Sequence, residues 1–76
     1  MDRERIGKMI RYHRKMADLT QEEVGKLAEL GKTVVFDIEK GKLTVKLSTL
    51  LKLLKVLNIQ MTFNSPLMEF FENEKS

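Results

Sequence analysis

The chain has 76 residues, with 14 Lys+Arg against 11 Asp+Glu, one His and no Cys. At roughly 100 to 200 residues per domain this is one small domain. The missing Cys excludes disulfides, thiol nucleophiles and Cys-type zinc sites, and the lone His13 excludes a multi-His metal site.

So short a chain buries only about 60% of its unfolded surface, which leaves oligomerisation as the expected staple. A hydrophobic content of 42% with 33% charged residues describes a globular chain. The most apolar stretch, Leu47 to Met61, is interrupted by Ser48, Thr49, Lys52, Lys55, Asn58 and Gln60, too polar for a bilayer span of about 20 apolar residues. The opening MDRERIGK has no apolar segment after its charges, so no secretory signal, no membrane partner and a cytoplasmic location are expected. Residues 1–46 hold eleven Lys/Arg and eight Asp/Glu, which is the whole net charge of +3, while residues 47–76 hold three of each. That asymmetry suits a polyanion partner, and suits a mixed solvated surface equally well.

In chain order, Ile6, Met9, Ile10, His13, Met16 and Ala17 recur at helical spacing and predict an amphipathic helix from Arg3 to Ala17, with Arg3, Lys8, Arg11 and Lys15 on its opposite side. Thr20-Gln21-Glu22-Glu23 is a capping box that starts a second helix from Gln21 to about Glu29, with Val24, Leu27 and Ala28 inward. A third helix runs from Lys32 to Lys40, with Val35 and Ile38 inward and Gly41 as its stop. Ser48 is expected to cap a fourth helix through Leu57, with Leu47 as a staple before the cap and Leu50, Leu51, Leu53, Leu54 and Leu57 as core. Asn58 suits the left-handed residue at its end.

Ile59, Met61 and Phe63 then alternate with Gln60, Thr62 and Asn64 up to Ser65-Pro66, a strand signal. Nothing else in the chain reads as a strand, and a single strand cannot satisfy its own backbone. Its simplest partner is the same strand of a second copy about a two-fold axis. The organisation expected is a helix-turn-helix unit over 1–58, a dimerisation strand over 59–65 and a tail over 66–76, which includes the apolar Leu67, Met68, Phe70 and Phe71 and has room for a short helix.

Two short helices joined by a tight turn make a helix-turn-helix unit. The segment from Ile6 to Lys42 resembles the Xre/Cro-type regulators through Ile10, Arg11, Arg14, Leu19, Thr20, Gln21, Glu22, Ile38, Glu39, Lys40 and Gly41. Its continuation, GKLTVKLSTLLKLLKVLNIQMTF, is similar to HipB-like antitoxins. The turn departs from that pattern, with Glu29 where a Gly is usual and Gly31 where a Ser-like cap is usual.

The resemblance implies an all-α, lambda-repressor-like fold of four helices, with one strand pairing across a homodimer through Ile59, Met61 and Phe63. It also implies roles by position. Gln21 donates to a DNA phosphate, with a place in the capping box alone as its alternative. The third helix enters the major groove with Lys32, Thr33, Phe36 and Asp37 exposed and Val34 at the margin, so that Lys32 faces guanine, Val34 or Phe36 a thymine methyl, and Asp37 cytosine N4. Phe36 has ordinary packing as its alternative. Arg14 and Glu39 pair structurally, and Lys42 touches the backbone, with a solvated loop as the alternative. The function implied is a sequence-specific repressor of a double-stranded operator, acting in the bacterial cytoplasm at the nucleoid and paired with a HipA-like kinase toxin. A plain regulator without a toxin, and a protein-interaction module working through the tail, are the competing readings. With no nucleophile beside a base, no phosphate-cradling Gly-rich loop and no ligand cluster, neither catalysis nor a cofactor is expected.

Overall fold

Four consecutive helices end in the same local structure, and those ends steer the chain. The computed structural model describes residues 2–74, with α1 at Arg3–Met16, α2 at Gln21–Leu27, α3 at Lys32–Glu39, α4 at Leu47–Val56 and α5 at Met68–Glu72. Lys75 and Ser76, the end of the expected tail, lie outside the described residues.

After α1, Asp18 takes a left-handed φ of 60°, the Leu19 N–H donates to the Arg14 carbonyl at 3.2 Å, and the Asp18 N–H donates to that of Lys15 at 3.0 Å. This is the Schellman arrangement, which satisfies carbonyls that the helix end would otherwise leave free. It recurs with Glu29 and Leu30 after α2, with Gly41 and Lys42 after α3, and with Asn58 and Ile59 after α4. In three of the four, the residue after the left-handed position is Leu19, Leu30 or Ile59, and each packs against the core.

At the other ends, the Asp2 carboxylate accepts from the Arg5 amide at 2.7 Å, and Thr20 and Glu23 form the reciprocal capping box on α2. The Thr20 backbone N–H, helped by the Thr20 side chain, holds the Glu23 carboxyl below its ordinary pKa. Gly31 and Lys46 start α3 and α4 without any side-chain cap.

Ile10, Val24, Val35, Ile38 and Leu53 are fully buried, joined by Leu54, Leu57 and Ala28. α3 packs on α1 and α2, and α2 packs on α4. α1 lies close against α3 at Gly7, where an added Cβ would stand 2.5 Å from the Glu39 carbonyl oxygen. A side chain at that point would collide with backbone.

Several sequence expectations change. The second helix closes at Leu27, two residues early, because Glu29 is already left-handed. Leu27 itself is 62% exposed rather than inward, and Met16 also points to solvent. Ser48 is not a cap: α4 begins one residue earlier at Leu47, which is exposed and makes no staple. Leu51 is exposed, whereas Leu50 lies half-buried against the core. The tail contributes a fifth helix, α5, that buries none of its residues.

No strand is present among the described residues, and Gln60 to Asn64 make no backbone–backbone hydrogen bond there. A strand requires a neighbour, and one copy of the chain supplies none.

Asp and Asn tolerate left-handed backbone, whereas Glu29 at φ 59° bears a steric cost of about 1–2 kcal/mol. Glycine removes that cost and gives back part of it through its freer unfolded chain. Glu29→Gly is expected to raise stability by about 0.5–1 kcal/mol, read as a higher urea midpoint at unchanged m-value.

Candidate nucleic-acid interface

The site begins with a carboxylate that joins three helices. Arg14, in the last turn of α1, donates from Nε to Glu39 Oε2 at 2.6 Å and from Nη2 to Oε1 at 3.0 Å, a two-pronged pair. Its Nη1 donates to the Leu19 carbonyl at 2.9 Å, which ties the same guanidinium to the α1–α2 turn. Gln21, the first residue of α2, donates from Nε2 to Glu39 Oε1 at 3.2 Å. Glu39 is the last residue of α3, so this network fixes the start of α2 against the end of α3.

Arg14 and Glu39 are each only 8% exposed. The hydrogen bond to Glu39 raises the Arg14 pKa further above its usual range, outweighing the desolvation that opposes it. Among the described residues no buried side-chain nitrogen or oxygen lacks a partner.

α3 then displays a row of side chains. Lys32 and Thr33 are exposed at its first turn, Phe36 is 45% exposed, and Asp37 is half-buried one position further on. The Lys40 ammonium lies 5.5 Å from the Phe36 ring centroid, a cation–π contact. Lys42 reaches Asp37 Oδ2 at 3.9 Å, and its backbone N–H donates to the Asp37 carbonyl at 2.9 Å. Asp37 therefore faces outward with a cation beside it, which softens the repulsion a bare carboxylate would present to phosphates.

Lys32, Thr33, Phe36 and Asp37 thus share the outer side of α3, whereas Val34 is half-buried against the core. Gln21 stands at the mouth between α1 and α3, with one of its two amide N–H groups committed to Glu39. Lys42 lies past the α3 end, in the loop toward α4. In the C-terminal segment, Ile59 is packed on its own core, while Met61 and Phe63 are exposed.

Sequence reasoning placed Lys8, Arg11 and Lys15 only on the outer side of α1. The structure sets them beside Gln21, Lys32 and Lys40. The signal was their spacing of three and four residues, which puts them on one stripe of the helix. Among the described residues no group of His, Cys, Asp or Glu is arranged to hold a metal ion, and no helix is long and apolar enough to cross a membrane.

Residues 10–64 match the model of a helix-turn-helix family. The crystal structure of the restriction-modification controller protein C.AhdI from Aeromonas hydrophila is similar, with a TM-score of 0.69 and 32% sequence identity, over 75% of this chain and 86% of that one. No curated protein matches the chain.

A buried ion pair that loses one member leaves an uncompensated charge, at a cost of about 3–5 kcal/mol. Arg14→Met and Glu39→Met are each expected to approach that loss, and the double variant is expected to be more stable than either single one. Urea unfolding of the four proteins measures the coupling, and strictly additive losses would refute it.

Proposed function

The chain belongs to the helix-turn-helix family of DNA-binding transcriptional regulators, and from that premise we propose that it acts as a homodimeric repressor of its own operon. The observation that carries the reading is the display of Lys32, Thr33 and Phe36 on α3, held at a fixed angle to α2 by the Glu39 network. An α-helix fits the major groove, where Lys32 donates to guanine O6 or N7 and Phe36 meets a thymine methyl. Gln21 and Lys42 contact phosphates on either side and set the register.

Two copies present two recognition helices to half-sites about 34–36 Å apart, and raise the formal charge from +3 to twice that value. Pairing of residues 59–64 about the two-fold supplies the neighbour that their unbonded backbone needs. The exposed Met61 and Phe63 supply apolar surface for that contact. The chain carries out no catalysis in this reading. Its similarity to a restriction-modification controller protein favours a controlling role.

A second reading adds a protein partner. Leu67, Phe70 and Phe71 are exposed, Phe71 to 72%, an apolar display that suits a docked protein. A HipA-like kinase toxin is the partner in this version, which makes the chain an antitoxin; its support is the likeness of the GKLTVK loop and the leucine-rich helix to HipB-like antitoxins.

In a gel shift with DNA from its own upstream region, the protein is expected to bind a palindrome more weakly as salt rises. Lys32→Ala is expected to cost about 1–3 kcal/mol on that site and relax its specificity. Equal loss on unrelated DNA would remove Lys32 from base reading. Sedimentation is expected to give a dimer for the native chain, and a monomer with weakened operator binding for Phe63→Lys. A truncation ending at Pro66 separates the two readings: operator binding retained with loss of a toxin partner supports the second, and retention of every interaction rules it out.

A further inference from the structure

Resting on the DNA-binding reading, we infer that α1 carries a phosphate-binding surface of its own, in which Arg11 is shared between two anion seats. Lys8, Arg11 and Lys15 lie on one stripe of α1 and are all exposed. On one side of Arg11 is a surface depression of about 620 Å³ whose walls include Lys15, Gln21 and Lys32. On the other is one of about 400 Å³ whose walls include Lys8, Gln21 and Lys40. Arg11, Gln21 and Arg14 belong to both, Arg14 being already paired with Glu39.

The charge balance in each seat favours an anion from outside. None of Lys8, Arg11 and Lys15 forms an ion pair among the described residues. The acidic groups nearby are Asp18 and Glu22 in the first seat and Glu4 and Glu39 in the second. Glu39 is committed to Arg14 and Gln21, and Glu22 has Lys26 at 3.6 Å. Gln21 keeps a second amide N–H, since only one is given to Glu39.

Two seats that meet at Arg11 and open beside the recognition helix hold two backbone phosphates. A guanidinium with five donors can serve both, which an ammonium does less well. These contacts carry no sequence information. They add affinity and salt dependence to whatever the recognition helix reads.

The test is fluorescence anisotropy of the full chain on two short duplexes of unrelated sequence, titrated across salt concentrations. Arg11→Ala, which touches both seats, is expected to flatten the slope of log K against log salt by about 0.9, and Lys8→Ala and Lys15→Ala, which each touch one, by less than that. The losses should be equal on both duplexes. Lys55→Ala, which removes the same charge from α4 outside both seats, is expected to leave the slope in place. An unchanged slope for Arg11→Ala, with salt-sensitive binding by the native chain, overturns the inference and leaves the family reading standing. A Lys55→Ala effect as large as that of Arg11→Ala also overturns it, because net charge alone would then account for the change. A native chain whose binding does not respond to salt overturns both.

Discussion

The Glu39 carboxylate accepts two N–H groups from Arg14 and one from Gln21, and through them α1, α2 and α3 meet at one pair of oxygens. Two apolar helices packed by burial alone have a tolerance in their crossing angle, since side chains of similar size repack at small cost. A two-pronged guanidinium–carboxylate pair does not slide in that way, because both of its hydrogen bonds depend on coplanar geometry. What α3 presents on its outer side is therefore fixed by a polar contact behind it. Gln21 shows the economy of the arrangement, since one amide serves both the network and the exposed mouth beside α1.

The second constraint is the repeated left-handed helix end. Ala17-Asp18-Leu19, Ala28-Glu29-Leu30 and Leu57-Asn58-Ile59 are variants of one triplet: a cap residue, a left-handed residue and an apolar residue driven into the core. The device satisfies free carbonyls, reverses the chain within three residues and adds a core side chain at each turn. In so short a chain this matters, because every turn that contributes no burial is lost to the core. α3 ends with the same hydrogen bonds but with Gly41 at φ 92° and the polar Lys42 after it, which sends the following loop outward, beside the outer side of α3.

Much of this was legible in the residues. The capping box at Thr20, the stop at Gly41 and the left-handed Asn58 are local signals whose chemistry acts within a few residues. The misses have local causes too. Glu29 is not a residue that announces a left-handed turn, so α2 read two residues too long and Leu27 read as core. Ser48 looked like a cap on composition, whereas α4 starts from Lys46 and Leu47 without any side-chain cap. The stripe of Lys8, Arg11 and Lys15 was visible, but not its neighbours, because only the fold brings α1 beside Lys32 and Lys40.

The segment after Asn58 follows a different logic. The radius of gyration is 14.4 Å and the long axis 42 Å against 23 Å in the other two directions, whereas a compact chain of this length has a radius of about 11 Å. The excess comes with a C-terminal stretch whose large side chains, Phe63, Leu67, Phe70 and Phe71, all face solvent, and whose backbone from Gln60 to Asn64 is unbonded among the described residues. Exposed apolar area and unpaired backbone are each costly, and a second chain related by a two-fold axis offers a remedy for both at once. Alternation makes this efficient. Ile59 closes the core of its own helical unit, while Met61 and Phe63, two and four residues on, stay free for a neighbour. A strand period read from six residues needs a neighbour before it can form a ladder, and among the described residues it forms none.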